Sequence, residues 1–108
     1  MAAPSLATRA PDRTVVRFPG NVLSAEACQG IGESLSRVVH RSGKCVLLDL
    51  AGVEYPTAGG LGKLVTLHKE LLAGGSELVL CNVSREVYEV LAIARLTDVL
   101  DVRRKGDR

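Results

Sequence analysis

Residues 44–64 read KCVLLDLAGVEYPTAGGLGKL, and this stretch indicates the fold class. The run from Cys45 to Leu50 is almost entirely apolar, which is typical of a central strand covered on both faces. Glycines then mark a tight turn, and leucines at helical spacing follow it. A strand that runs through a tight turn into a helix is the place where α/β folds keep functional residues. The turn offers one hydroxyl, on Thr57, and neither histidine nor cysteine, so the sequence favours binding or switching over catalysis.

The rest of the chain alternates between strand and helix patterns. Short apolar runs predict strands at 14–18, 45–50, 77–83 and 99–102. Helical spacing predicts helices from the cap Ser24 to Ser42–Gly43, over 58–73, and after the cap Ser84, the last with Val87, Val90, Leu91 and Ala94 facing inward. The order β-α-β-α-β-α-β predicts an α/β domain with mostly parallel strands and right-handed crossovers.

Length and composition limit the function classes. The 108 residues fit one domain, which we expect over 13–103, with a flexible tail at 1–12 and a polar tail at 104–108. The net charge of +2 argues against a nucleic-acid surface. Three cysteines without metal-site spacing predict reduced thiols in a cytoplasmic protein. The sequence has no run long and apolar enough to span a bilayer, and we expect no direct membrane insertion.

Nucleotide-binding motifs fail on spacing. A P-loop would require glycine at Thr57 and a hydroxyl at Leu64, and a dinucleotide fingerprint would require a small residue at Val65. The turn therefore contains neither nucleotide-binding motif, and the cysteine spacing gives no reason to expect a metal site. Two interpretations of Gly59 and Gly60 remain open: they expose helix N-terminal N–H groups to an anion or carboxylate, or they allow close packing of helix against sheet.

Three polar residues have both a structural and a functional interpretation. Asp49 lies in an otherwise apolar strand, so it either caps the next turn or serves a function at the end of the sheet. Asn82, at the matching end of the next strand, has the same two interpretations. His68 shares a helix face with Leu64, which favours a satisfied or edge-of-core histidine over a catalytic base.

Three segments together resemble a known family. They are 46–55 (VLLDLAGVEY), 58–64 (AGGLGKL) and 74–84 (GGSELVLCNVS), and in this order they resemble the STAS domain of bacterial anti-sigma factor antagonists over roughly 13–103. The resemblance implies a single domain with a mixed, mostly parallel sheet of four to five strands flanked by helices. It also implies a binding protein without cofactor or enzymatic activity, whose partner is an anti-sigma factor with a kinase fold.

In that family the kinase phosphorylates a serine at the start of the second helix and so abolishes binding. The phosphoacceptor position here is Ala58, the preceding acidic position is Thr57, and a second acidic position falls on Leu23. Three hypotheses follow: an antagonist locked in the binding-competent form, a switch moved to Thr57, or a domain that keeps the fold as a scaffold. The last includes a fixed STAS subunit of a lipid-transport or stress-signalling complex.

We predict a partner-binding surface at the turn and on the exposed side of the second helix. Tyr55 and Pro56 would offer an apolar ledge there, and Lys63 would offer a charge to an acidic partner. A weak homodimer stays open as an alternative. An enzyme would need Asp49 or His68 as a base near Thr57. The predicted partner-binding residues are Tyr55, Thr57, Ala58, Gly59, Lys63 and Thr66.

Overall fold

A computed structural model describes residues 6–10, 13–38 and 45–106, with the backbone alone described at 6–10 and 36–38. A 3-10 turn at Leu96–Asp98 precedes the last strand. The strands are β1 Leu6–Ala10, β2 Arg13–Arg17, β3 Val22–Leu23, β4 Cys45–Asp49, β5 Tyr55–Pro56, β6 Glu77–Val83 and β7 Asp101–Arg104. The helices are α1 Ala25–Val38, α2 Ala58–Ala73 and α3 Arg85–Ile93.

The main sheet has five strands in the order β1-β2-β4-β6-β7. Strands β2, β4, β6 and β7 run parallel, and β1 pairs antiparallel with β2. This arrangement confirms the predicted α/β domain with a mixed, mostly parallel sheet, and β4 lies at its centre as expected. A second, two-stranded parallel sheet joins β3 to β5. This small sheet positions the start of α2.

The core lies on one face of the main sheet. Val46 and Leu48 point into it from β4, and Leu64 meets them from α2, all three without solvent exposure. Residues of α1 and α3 complete the same cluster. On the opposite face of β4, Cys45 and Leu47 are half-buried. The prediction that both faces of this strand are covered is therefore wrong for the second face, where burial alternates along the strand instead.

Strand β1 lies within the predicted tail of residues 1–12, so that boundary is too late. Its backbone pairs with β2, from Leu6 opposite Val16 to Ala10 opposite Arg13. An edge strand needs hydrogen bonds on one side alone, so its composition carries little of the alternation that marks inner strands. At the other end, β7 extends one residue past the predicted domain end at 103.

The last helix and strand differ from their predictions. Val90 and Ala94 are exposed, whereas Tyr88 is half-buried and packs against the core. Helix α3 ends at Ile93, so Ala94 lies beyond the periodic face. Strand β7 begins at Asp101, because residues 96–98 form the 3-10 turn and Val99 is exposed. The predicted end of the first helix at Ser42–Gly43 lies outside the described residues.

Candidate functional site

The turn before α2 is held by the small sheet of β3 and β5. Val22 lies opposite Tyr55, and Leu23 lies opposite Pro56. The backbone N–H of Glu54 donates to the carbonyl of Asn21 at 2.8 Å, just before this pairing. The segment from residue 54 to the start of α2 is thus attached to the chain that leads into α1. We call residues 55–60 the junction.

Thr57 joins the two parts of the junction. Its hydroxyl oxygen accepts a hydrogen bond from the backbone N–H of Gly60 at 3.0 Å, which caps α2. The same hydroxyl donates to the carbonyl of Leu23 at 3.3 Å, and the Thr57 N–H donates to that carbonyl at 3.0 Å. Leu23 itself is fully buried. Thr57 is therefore half-buried, and its hydroxyl is engaged both as donor and as acceptor.

The glycines of the junction differ in what surrounds them. A Cβ on Gly60 would overlap the backbone carbonyl of Leu23, so this position requires glycine for close packing. A Cβ on Gly59 would lie 3.2 Å from the Cβ of Ala25, at the start of α1. A Cβ on Gly62 would meet nothing within 4 Å. Close packing, one of the two open interpretations, thus accounts for Gly60 and contributes at Gly59.

The outer surface of the junction is small and uncharged. Ala58, the first residue of α2, is exposed, and so is Gly59. Tyr55 is 54% exposed beside them. The first turn of α2 contains no acidic residue. A phosphoryl group attached to residue 58 would therefore project into solvent from a neutral surface and add about two negative charges to it.

Lys63 and Thr66 lie elsewhere on α2. They line a groove of about 340 Å³ between α1 and α2, together with Gln29, Glu33 and Glu70. The Thr66 hydroxyl donates to the carbonyl of Gly62 at 3.1 Å, within its own helix. The structure thus brings Tyr55, Thr57, Ala58 and Gly59 together at the junction, and Lys63 and Thr66 follow Gly59 along the side of α2 that faces α1.

Asp49 and Asn82 have a structural role. One carboxylate oxygen of Asp49 accepts hydrogen bonds from the Ala51 backbone N–H at 2.9 Å and from the Asn82 amide nitrogen at 3.1 Å. Asn82 adopts a left-handed backbone with φ of 55°, at an irregularity in the pairing of β6 with β7. This network closes the turn after β4 and links the carboxyl ends of β4 and β6. Of the two interpretations of Asp49, it supports the capping of the next turn.

The hydroxyl of Thr57 has no base among its hydrogen-bond partners. Both of its partners are backbone groups, of Leu23 and Gly60. His68 is half-buried in the third turn of α2, and its Nδ1 is buried without a hydrogen-bond partner. The histidine therefore lies at the edge of the core, as expected, but its ring is not fully satisfied. These contacts give no support to activation of Thr57 as a nucleophile.

The thiol of Cys28 lies beneath the junction. Its Sγ donates to the carbonyl of Gly60 at 3.6 Å, and the residue is 3% exposed. Burial raises the pKa of Cys28 to about 11. Burial also raises the pKa of Cys81, and the nearby Asp49 carboxylate adds to that effect. Both thiols are therefore protonated at neutral pH, which makes them weak nucleophiles.

Sequence reasoning missed the surroundings of the junction. Neither the β3–β5 pairing nor the approach of Ala25 to Gly59 has a signal in the periodicity, because two-residue strands are too short to show one. The exposure of Val90 and Ile93 was missed as well. Within the described part of the chain, no cluster of three metal-ligating side chains occurs, and none of the helices there is long and apolar enough to cross a bilayer.

Comparison with known proteins finds related sequences. The STAS domain model matches residues 5–107, which include the whole junction. Two proteins named anti-sigma-B factor antagonist, from Listeria monocytogenes serovar 1/2a and Listeria innocua serovar 6a, are each 28% identical over 86 residues, which is 80% of this chain and 75% of theirs.

Two solved structures share the fold. A Thermotoga maritima protein described as a candidate anti-sigma factor antagonist matches with a TM-score of 0.73 and 19% identity, over 92% of this chain and 85% of that one. An anti-sigma-factor antagonist (STAS) domain protein from Planctomyces limnophilus matches with a TM-score of 0.72 and 24% identity, over 90% of this chain and 86% of that one. At these identities the similarity establishes the fold alone.

Proposed function

This chain belongs to the STAS domain family, and we propose that it acts as an anti-sigma factor antagonist that binds a kinase-fold anti-sigma factor in a partner-switching pathway. The Listeria relatives carry the name anti-sigma-B factor antagonist, which supports this class of partner. In this proposal the protein works in the cytoplasm by binding alone, without a cofactor and without catalysis.

The observation that carries the proposal is the position of Ala58. It is exposed at the first position of α2, among uncharged residues that include the exposed Tyr55. An uncharged surface suits a close protein contact, and a phosphate placed there would oppose that contact through charge and desolvation. Alanine cannot accept a phosphate, so the chain stays in the form that binds.

The hydrogen bonds of Thr57 support the locked form over a relocated switch. Its hydroxyl caps α2 and also bonds to Leu23, so a kinase would have to break both bonds to reach the oxygen. The loss of an N-cap costs about 1 kcal/mol. Within the helical part of the junction, residue 58 is the position where a serine would be exposed and would leave these bonds intact. Gly60 is buried, and Gly59 lies against Ala25.

An affinity pull-down of the tagged protein, followed by mass spectrometry, tests the proposal. We expect a kinase-fold anti-sigma factor as the main partner and no phosphate on Thr57. Recovery of a lipid-transport or stress-signalling complex would instead make the chain a fixed scaffold subunit. A phosphate on Thr57 would contradict the locked form.

Substitutions at residue 58 test the interface with the recovered partner. Ala58→Asp should weaken binding by at least about tenfold, because it places a desolvated charge in the contact. Ala58→Ser together with Thr57→Asp should restore phosphorylation by the partner. Gly30→Asp, on the exposed side of α1 where an added Cβ meets nothing within 4 Å, is the charge-matched control and should leave binding unchanged. Equal affinity of Ala58→Asp and the control would place the interface elsewhere.

A further inference from the structure

The main sheet has an outer face, on the side away from the core. Val15, Leu47 and Val79 form a row across it, because β2 pairs Val15 with Leu47 and β4 pairs Leu47 with Val79. None of the three belongs to the core cluster, whereas the residue that follows each of them does. Val15 and Leu47 are half-buried, and Val79 is 6% exposed. The outer face comprises Arg13, Val15 and Arg17 of β2, Cys45, Leu47 and Asp49 of β4, and Glu77, Val79 and Cys81 of β6.

A mostly parallel sheet with an uncovered face is unusual. Parallel strands occur almost only in sheets that are covered on both faces. In the described part of the chain, the cluster that joins the sheet to α1, α2 and α3 lies on the core side alone. The apolar row on the outer face is therefore the kind of surface that a second protein layer covers.

Charges of opposite sign lie on the two sides of this face. Arg13 pairs with Cys45, and Cys45 pairs with Glu77, so these residues form the next row of the sheet. Arg13 and Glu77 are both exposed, and neither forms an ion pair within the described residues. Asp101, by contrast, is paired with Arg103 at 2.9 Å. The outer face thus offers a positive group on β2 and a negative group on β6.

A second copy of the chain is complementary to this pattern. Two sheets can pack face to face around a two-fold axis parallel to the strands, which places β4 opposite β4 and β2 opposite β6. Arg13 of each copy then lies opposite Glu77 of the other, and Leu47 lies opposite Leu47. An axis perpendicular to the strands would instead place Arg13 opposite Arg17, which has the same charge. Charge complementarity therefore favours the first arrangement.

We propose that two copies of the chain associate through their outer faces around this axis. Packed sheets lie about 10 Å apart with their facing side chains interlocked, so Val15 of one copy contacts Val79 of the other. Five strands spaced about 4.8 Å apart give a face only about 20 Å wide. Its area is below the about 800 Å² that a stable complex covers on each partner, and the dimer is accordingly weak.

This dimer is independent of the proposed function. Helix α2 packs on the core side of the sheet through Leu64, so a second copy on the outer face leaves the start of that helix uncovered. Ala58 stays accessible to a different protein in either copy. Failure of the dimer would therefore leave the proposed partner at the junction untouched.

Analytical ultracentrifugation of the full chain tests the proposal. The parent chain should show a monomer–dimer equilibrium at concentrations up to about 1 mM. Arg13→Glu and Glu77→Arg should each weaken the dimer by at least about tenfold, because the two-fold axis repeats the new like-charge contact. Glu70→Arg, the same charge reversal at an exposed position on α2, is the control and should leave the dimer unchanged.

A mixture of the two test variants gives the sharper result. When the Arg13→Glu chain pairs with the Glu77→Arg chain, both contacts again join opposite charges. The mixture should therefore form dimers at concentrations where each variant alone is monomeric, a result that misfolding of either variant could not produce. A parent chain that stays monomeric would leave the outer face to a different protein and overturn the proposal. A dimer that resists both reversals, or a mixture that forms none, would overturn it as well.

Discussion

Helices α2 and α3 begin with the same capping device. The hydroxyl of Thr57 accepts from the N–H of Gly60 at 3.0 Å, and the hydroxyl of Ser84 accepts from the N–H of Val87 at 3.2 Å. In both cases the cap residue has an extended backbone, and the acceptor bonds to the third residue of the helix. Each cap satisfies one of the N–H groups that a helix start leaves without a partner.

The surroundings of the two helix starts differ. The first turn of α3 carries Arg85 and Glu86, both exposed, and its third residue buries a full valine side chain. The first turn of α2 has no charge, and its third residue is a glycine packed on the carbonyl of Leu23. The cap of α3 is formed by residues of its own segment. The start of α2, by contrast, also depends on a hydrogen bond to a segment more than 30 residues away. That dependence fixes the position of the start of α2, where Ala58 is exposed.

The largest expected effect comes from Gly60→Ala. The added Cβ would overlap the Leu23 carbonyl, so the start of α2 must move away from β3. Overpacking of this kind lowers the free energy of unfolding by about 3 kcal/mol. Gly62→Ala is the matched control, because its Cβ meets open space, and it should raise stability by about 0.5–1 kcal/mol.

Urea denaturation of both glycine variants measures this difference. If Gly60→Ala proves as stable as the parent protein, the close packing of α2 on β3 described above is not what holds the junction. A loss in both variants would point to a general sensitivity of α2.

The second prediction concerns the thiol beneath the junction. Burial raises the pKa of Cys28 to about 11 from the ordinary value of 9.0, so the folded protein holds this proton more tightly than the unfolded chain does. This contribution to stability is fully present below pH 9.0 and is lost as the pH rises to about 11. A pKa difference of this size between the folded and unfolded states corresponds to about 3 kcal/mol in the free energy of unfolding.

Unfolding free energies measured across that pH range check the prediction. Other groups also titrate there, so the comparison is with Cys28→Ser, which lacks the ionisable thiol. The variant should show a shallower decline with pH than the parent. Parallel declines would mean that the Cys28 thiol loses its proton as easily in the folded protein as in the unfolded chain.

The smallest effects should come from the two caps. Ser84→Ala removes one capping hydrogen bond and should cost about 1 kcal/mol. Thr57→Ala removes the cap and the bond to Leu23 together, so it should cost about 2 kcal/mol. Thr57→Ser keeps the hydroxyl and should recover most of that loss. Thermal unfolding of the three variants gives the ranking, and equal losses for the two alanine variants would show that the bond to Leu23 contributes nothing.

Several parts of the structure could be predicted from local patterns. The cap Ser84 and the span of α2 over 58–73 follow from residue type and helical spacing. The exposure of Val90 could not be predicted in this way. Its spacing fits the inward face of α3 as well as Leu91 does, yet Leu91 is fully buried and Val90 is 39% exposed.

In the candidate site, too, some placements follow from the sequence and others do not. Tyr55, Thr57 and Ala58 lie together because they are close in sequence, whereas Lys63 and Thr66 line the groove beside α1, on the side of α2 that Gly59 begins. A helix rotates by about 100° per residue, so residues a few positions apart can lie on different faces although they are neighbours in the sequence. The distinction between the two sides requires knowledge of where α1 packs.

The sequence by itself determined the alternation of strands and helices, the central position of β4, and the uncharged character of the turn at Ala58. These properties depend on residue type and on spacing within a few turns, which are present in the chain before it folds. The tertiary structure decided that Gly60 must be a glycine, that the Thr57 hydroxyl is doubly bonded, and that Ile93 remains in solvent. The first two depend on contacts between segments more than 30 residues apart, which form only when β3 and the start of α2 come together, and the third depends on which elements pack against α3.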